Sequence, residues 1–110
     1  MNRFPENLRP ENVDETFIKN ALHVHYMELL RNDIYIHILT SDIHNDFFSI
    51  LDFFNKHEIS DTYKETITSD IISELTENGW FIKKLFNDTA ILIAKSQDNL
   101  NTSIWSSTLE

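Results

Sequence analysis

Five histidines are the side chains of this sequence best suited to metal binding or acid–base chemistry. His23 and His25 lie two residues apart on a predicted helix, so they point roughly 200° apart and cannot readily share one ion. His44 is flanked by Asp42 and Asp46, but it points away from the helix face that these two acids share. The HExxH and repeated HxxxH patterns do not occur. The spacings therefore predict no metal site and no cofactor.

A second pair with chemical potential is Arg31 and His37, which are separated by five residues. This spacing resembles the RxxxxxH signature of HEPN-type ribonucleases, in which an arginine and a histidine activate the 2′-hydroxyl of RNA. The resemblance implies an all-helical domain. The segment IYIHILT, residues 34 to 40, instead has the β-branched and aromatic content of a strand. We therefore expect no ribonuclease activity from this pair.

Composition argues against several other kinds of catalytic site. The chain has no cysteine, so thiolate nucleophiles, thiolate metal sites and disulfides cannot form. Its single glycine, Gly79, leaves no glycine-rich phosphate loop and no GxSxG elbow. The paired carboxylates are more typical of solvated helix faces than of acid–base pairs: Asp42/Asp46, Asp70/Glu74 and Glu74/Glu77. The sequence therefore predicts a protein that is not an enzyme.

The net charge limits the class of partner. The 110 residues include 18 acids and 9 bases, for a formal charge of −9. Such a chain repels nucleic-acid backbones and anionic membranes. It lacks a signal-peptide pattern and any apolar run near the ~20 residues that span a membrane. We expect a soluble cytoplasmic protein, or one of the host cytoplasm if the source is viral. Abundant Ile and Asn with little Arg are typical of an AT-rich genome, for example that of a phage or a low-GC bacterium.

The first half of the chain is predicted to contain two helices and a strand. Residues 1 to 12 are predicted as an extended arm. A helix follows from residue 13 or 14 to residue 31 or 32, since apolar side chains recur there at helical spacing. Residues 34 to 40 are the predicted strand. A helix with a broad apolar face is predicted roughly over residues 42 to 57.

The next predicted element is a helix over residues 61 to 78. Thr62 and Glu65 have the spacing of a capping box, and Gly79 suits the left-handed position after the helix. The apolar residues of this helix repeat every four positions: Tyr63, Ile67, Ile71 and Leu75.

A β-hairpin is predicted from WFIKKLF and TAILIAK, with either Asn87-Asp88 as its turn or a slightly longer loop, because Asn-Asp is a weaker turn signal than Asn-Gly. The register pairs Phe86 with Thr89, Lys84 with Ile91, and Ile82 with Ile93. Both faces are then mainly apolar, so each is either covered by the domain or available to a partner. Residues 96 to 110 are polar and are predicted as a flexible tail. Within it, Trp105 is either a docking anchor or a side chain that packs on the sheet.

These elements predict one α+β domain over residues 13 to 95, with a three-stranded, mainly antiparallel sheet on two or three helices. The order helix–strand–helix–helix–strand–strand resembles that of winged-helix domains, which implies a recognition helix at 61 to 78 and a wing at 80 to 95. That helix carries only Lys64 against five acids, so a winged helix here is expected to bind protein. A plain α+β sandwich explains the pattern equally well.

The leading functional prediction is a small, acidic protein–protein interaction module, such as a phage-like inhibitor or assembly protein, that binds another protein or itself. The predicted partner-binding residues lie on the second hairpin face and in the tail: Phe81, Lys83, Leu85, Leu92 and Trp105. One alternative is a winged-helix-like regulator that binds nucleic acid. Another is an acidic mimic of nucleic acid. An enzyme would need a pocket that joins His25, His37 or His44 to an acid or an arginine.

Overall fold

The computed structural model describes residues 10 to 42 and 45 to 105. The described chain contains four α-helices and one three-stranded antiparallel sheet, which confirms the predicted α+β class. In chain order the elements are α1 (Glu15–Thr40), β1 (Phe48–Ser49), α2 (Ile50–Lys56), α3 (Asp61–Glu77), β2 (Phe81–Leu85), β3 (Ala90–Ala94) and α4 (Gln97–Thr102). A short 3-10 helix, Pro10–Asn12, precedes α1. None of these helices combines the length and apolar composition needed to cross a membrane.

Helix α1 begins where the sequence predicts. Asp14 is its N-cap, and the Asp14 carboxylate accepts a hydrogen bond from the backbone N–H of Phe17 at 2.8 Å. Glu15 follows in the first turn, where the helix dipole favours a negative charge. The predicted start at residue 13 or 14 is therefore confirmed to within two residues.

The predicted strand over residues 34 to 40 is wrong, because α1 continues through this segment to Thr40. Met27, Leu30 and Ile34 recur at spacings of three and four along α1, and all three are buried in the main core. Burial of this stripe outweighs the strand preference of the segment, since strand propensities span only ~1 kcal/mol. The predicted helix end at residue 31 or 32 is wrong for the same reason.

The first strand of the sheet lies instead inside the segment predicted as the second helix. Phe48–Ser49 pairs with β3, and the Ser49 hydroxyl then caps α2 by accepting a hydrogen bond from the Asp52 N–H at 3.1 Å. Helix α2 has seven residues, so the prediction of a helix over 42 to 57 is wrong for its first part. Residues 43 and 44 of that prediction lie outside the described residues. The order of helices and strands is as predicted, but the first strand is Phe48–Ser49 and not residues 34 to 40.

Helix α3 matches the predicted helix over residues 61 to 78 to within one residue at its end. Gly79 follows the helix at φ +94°, a conformation that side chains with a Cβ rarely adopt. The Gly79 N–H donates to the Thr76 carbonyl and the Trp80 N–H donates to the Leu75 carbonyl, both at 3.0 Å. This hydrogen-bond pair is a Schellman motif, and it turns the chain from α3 directly into the hairpin.

The N-cap of α3 differs from the predicted one. Ser60 is the N-cap, and the Ser60 hydroxyl accepts a hydrogen bond from the Thr62 N–H at 3.4 Å. The predicted capping box of Thr62 and Glu65 is therefore wrong, because Thr62 already lies inside the helix. Two residues upstream, serine is an equally suitable cap.

The hairpin has the predicted register and the longer of the two predicted turns. Ile82 lies opposite Ile93 and Lys84 opposite Ile91, as predicted. The strands end at the pair of Leu85 and Ala90, so the turn covers residues 86 to 89 rather than Asn87-Asp88 alone. Three consecutive turn residues have positive φ: Phe86, Asn87 and Asp88.

Strand β3 lies in the middle of the sheet, in the order β1-β3-β2, and all five of its residues are buried. On one face, Ile91 and Ile93 join the main core, which α1, α2 and α3 complete. On the other face, Leu85 and Leu92 pack in a smaller cluster beneath α4. The two apolar faces predicted for the hairpin are therefore both covered by the chain itself.

Two polar contacts join α1 to α3 beside the main core. The Arg31 guanidinium donates two hydrogen bonds to the two carboxylate oxygens of Glu74, each at 2.7 Å. The His23 Nε2 lies 2.9 Å from a carboxylate oxygen of Asp70. The hydrogen bond from Arg31 lowers the pKa of Glu74 below its ordinary value, although partial burial acts in the opposite direction. This pairing fixes the rotation of α1 on α3.

The lowered pKa of Glu74 predicts how stability depends on pH. The Arg31–Glu74 pair contributes above the unfolded pKa of the carboxyl, and this contribution is lost as the pH falls through the lower folded pKa. Because both side chains are partly exposed, Glu74→Gln should destabilise the protein by no more than about 1 kcal/mol at neutral pH. Urea unfolding of both proteins between neutral and acidic pH checks this.

The two stability curves should converge in acid, since the native carboxyl then also becomes neutral. Glu77→Gln is the matched control, because Glu77 is an exposed acid on the same helix. A constant difference between Glu74→Gln and wild type at every pH would contradict the prediction.

Candidate interaction surfaces

The second hairpin face, which the sequence predicts as a partner surface, lies under α4. Leu85 and Leu92 are both 0% exposed. They pack with Ala90, Ala94 and Leu100, the last of which projects from α4. Residues 97 to 102 thus form a helix on the sheet within the segment predicted as a flexible tail. A partner would reach Leu85 and Leu92 only by displacing α4.

Trp105 binds the body of its own chain. Its ring contacts those of Phe47 and Phe86 edge to face, with centroids 5.3 and 5.6 Å away. The Trp105 Nε1–H donates to the backbone carbonyl of Asn45. The preceding backbone N–H, from Ile104, donates to the Asn45 side-chain oxygen at 3.2 Å. Of the two roles considered for Trp105, the structure shows the packing role.

The remaining two predicted residues lie on β2, the outer strand of the sheet. Phe81 is 41% exposed at the start of the strand, opposite Ala94. Lys83 is partly exposed and lies opposite Leu92. Lysines on an outer strand discourage a strand of another molecule from pairing with that strand, which accounts for the Lys83-Lys84 doublet. The structure thus buries Leu85 and Leu92, packs the partly buried Trp105 against the same cluster, and leaves Phe81 exposed at the rim.

A group of large exposed apolar side chains lies together on α1. Tyr35 is 62% exposed and Leu39 is 64% exposed, and Ile36 between them is also exposed. Toward the N-terminus of the same helix, Ile18 and Val24 are exposed as well. Sequence reasoning missed this surface because residues 34 to 40 were assigned to a strand. As a helix, the segment continues a three-and-four spacing that begins at Ile18.

We call this surface the outer stripe of α1. It consists of seven positions at alternating spacings of three and four, all exposed: Ile18, Ala21, His25, Glu28, Asn32, Tyr35 and Leu39. Val24 and Ile36 flank it. The outer stripe lies on the side of α1 away from the buried residues Met27, Leu30 and Ile34. Its ends are apolar and its middle is polar.

A groove of about 590 Å³ runs between α3 and the hairpin, where a winged-helix domain would place nucleic acid. Lys64 and Lys84 line it, but so do Glu65 and Asp88. Lys64 also forms an ion pair with Asp61 at 2.6 Å. The groove therefore has nearly balanced charge, whereas binding to a phosphate backbone requires an excess of positive charge.

The groups considered for catalysis do not assemble. Arg31 is held by Glu74, whereas His37 packs edge to face on Phe48 at 5.6 Å and lines a different groove. Burial lowers the pKa of His37, and nearby Asp46 opposes this. Residues 34 to 40 are helical, but the three-stranded sheet is not part of an all-helical domain such as that of HEPN ribonucleases, and the arginine and histidine remain apart. Within the described residues, which do not include His44, no group of three or more His, Cys, Asp or Glu side chains could hold a metal ion.

Comparisons with known proteins add no assignment. No protein-family model, curated protein or solved structure matches this chain at a significant level. The functional argument therefore depends on the surfaces described above.

The contacts of Trp105 predict that it holds α4 on the sheet. Trp105→Ala removes the aromatic cluster and the hydrogen bond to Asn45, and should destabilise the protein by about 2 kcal/mol, less than the ~3–5 kcal/mol of a fully buried aromatic. Hydrogen exchange at Leu92 should also accelerate, because α4 then opens more often. Urea unfolding and amide exchange measure the two effects.

Ile104→Ala is the matched control. Ile104 is adjacent in sequence but 69% exposed, so its truncation should change stability by less than about 0.5 kcal/mol. Equal effects of the two substitutions would show that Trp105 does not hold α4 in place.

Proposed function

We propose that this protein is a small non-enzymatic protein-binding module and that the outer stripe of α1 is its contact surface. One observation carries the proposal: a 26-residue helix buries one face in the core and exposes large apolar side chains on the other. Single exposed apolar residues are ordinary on protein surfaces, but a contiguous set marks an interaction site. Tyr35, Ile36 and Leu39 form such a set within little more than one helical turn.

The chemistry of these side chains supports recognition of protein. Tyrosine and large aliphatic residues supply most of the contact energy in protein interfaces. An amphipathic helix presents them at regular spacing, so a groove or a second helix can receive them together. Polar residues such as Asn32 and Glu28 lie beside them and can form the hydrated rim of an interface.

The accessible surface of α1 replaces the hairpin face as the leading candidate. A partner on the hairpin would have to displace Leu100 and Trp105, and it would therefore compete with contacts already made within the chain. A partner on the outer stripe of α1 would displace none of the contacts made within the described residues. Among the predicted residues, Phe81 keeps an exposed apolar surface and serves to compare the two sites.

The proposal predicts that Leu39→Asp abolishes binding of a protein partner. A carboxylate at this exposed position leaves the fold intact but places a desolvated charge in the contact. Wild type, Leu39→Asp and Phe81→Asp serve as immobilised baits in lysate of the native host. We expect a protein that wild type and Phe81→Asp retain and that Leu39→Asp loses by about tenfold or more. Loss with Phe81→Asp alone would move the site to the hairpin.

A winged-helix-like regulator that binds nucleic acid is the second candidate. The element order supports it, and so does the fate of two acids on α3: Asp70 and Glu74 face His23 and Arg31 of α1. The outward side of α3 is consequently less acidic than its sequence indicates. The groove charges still oppose this candidate, because Glu65 and Asp88 accompany Lys64 and Lys84.

Fluorescence anisotropy with labelled duplex DNA and single-stranded RNA separates the two candidates. At low salt, where electrostatic attraction is strongest, the protein-binding proposal predicts no change in anisotropy. Binding that weakens steeply with added salt and is reduced in Lys84→Glu would favour the nucleic-acid candidate. Nucleic-acid binding that changes neither with salt nor in Lys84→Glu would show that the groove between α3 and the hairpin is not the binding site.

A further inference from the structure

We infer that the partner of the outer stripe of α1 is a second copy of this chain, and that the two α1 helices pair antiparallel. This inference rests on the proposed function, because it names the occupant of the same surface. It is supported by the uneven packing of α1, by the symmetry of its apolar pattern and by the charges at its middle.

The two halves of α1 are packed very differently. Its first buried residue is Met27, so the twelve residues from 15 to 26 contribute no fully buried side chain. The protein is accordingly elongated, with a long axis of 54 Å and a radius of gyration of 16.5 Å, compared with about 13 Å for a compact domain of this length. Helical segments this short are marginal in water without tertiary contacts. Within the described residues, the N-terminal half of α1 has only partial contacts with its own domain, such as His23 with Asp70 and Tyr26 with Tyr63, so a further contact would stabilise it.

An antiparallel second copy provides that contact. When the two helices overlap over residues 15 to 38, a length of about 36 Å, residues 15 to 26 of one copy lie against residues 27 to 38 of the other. Each projecting half then packs on the half that its partner's domain holds in place. The contact is the same patch on both copies, as a two-fold axis requires.

The outer stripe has the same order of apolar and polar residues when it is followed from either end of α1. Its two apolar ends enclose a polar middle: Ile18 and Ala21, then His25, Glu28 and Asn32, then Tyr35 and Leu39. In the antiparallel overlap, Ile18 faces the partner copy's Tyr35. Leu39 lies opposite the partner copy's Asp14, next to its exposed Val13. At each end of the overlap, the Ile18–Tyr35 pair therefore covers one apolar side chain with another.

The middle of the outer stripe selects the antiparallel direction. In this overlap, His25 of each copy faces the partner copy's Glu28, so an imidazole N–H can donate to a carboxylate twice across the axis. A parallel pair would place each residue opposite itself, with Glu28 against Glu28. Like charges at that position oppose pairing, and opposite polar groups favour it.

The inference is tested with purified full-length protein by light scattering coupled to size exclusion. Wild type should have twice the mass of the 13.0 kDa chain, whereas Leu39→Asp and Tyr35→Asp should have the monomer mass. Circular dichroism at high concentration verifies that both variants remain folded. A wild-type monomer at every concentration, or dimers in both variants, would overturn the inference. Host-lysate binding that depends on Leu39 would still support the proposed function, so the two failures are distinguishable.

Substitutions at His25 test the register. His25→Lys keeps a donor opposite Glu28 and should leave dimerisation intact or tighten it. His25→Glu places two carboxylates opposite each other and should weaken dimerisation by about tenfold or more. Equal dissociation constants for these two variants would exclude the contact between His25 and Glu28.

Spin labels test the direction. The chain has no cysteine, so Thr16→Cys introduces one attachment point at an exposed position off the outer stripe. In the antiparallel pair, residue 16 lies opposite residue 37 of the other copy, and the two labels are about 30 Å apart along the axis. In a parallel pair the two labels have no offset along the axis, so a label separation well below this ~30 Å would indicate a parallel pair and overturn the inference.

Discussion

Burial of β3 on both faces is the constraint from which the rest of the domain follows. Its sequence, AILIA, has no polar residue, and it lies between β1 and β2 in the sheet. A strand of this kind requires an apolar layer on each side. Helices α1, α2 and α3 form one layer, and α4 with Trp105 forms the other. The chain therefore has to return across the sheet after β3, and Asn45 receives the returning segment through two hydrogen bonds.

Sequence reasoning succeeded where local signals and tertiary packing agree. The hairpin register follows from alternation around a polar turn, and the end of α3 follows from Asn78-Gly79. It failed for residues 34 to 40 because Ile and Tyr favour strands weakly, whereas the decisive term was burial of Ile34 beside Leu30 against α3. Strand β1 has only two residues, so its sequence carries no periodicity to detect. Helix α4 is polar except for Leu100, and its position depends on the sheet beneath it.

The same error concealed the candidate site. Once residues 34 to 40 are assigned to a strand, Tyr35 and Leu39 are placed on one sheet face, and Ile36 on the other. In the helix all three lie on the solvent side of α1. Two of the predicted partner-binding residues, Leu85 and Leu92, are apolar residues that need cover. The cover came from the chain's own Leu100 and Trp105, and which segment supplies cover is a tertiary property that local sequence does not specify.

The second hairpin face is thus covered within the chain, whereas the outer stripe of α1 is exposed. The difference follows from chain connectivity. Only two residues separate the end of β3 from the start of α4. The effective concentration of α4 at the second hairpin face is therefore high, and α4 covers that face within the chain. Of the described segments, only residues 10 to 13 are tethered close to the outer stripe of α1, and Ile18 at that end is still 46% exposed. An apolar surface that is left exposed in this way is typical of a site where another molecule binds. Because the helix that carries it is also only half supported, association would stabilise the fold and form the interface in one step.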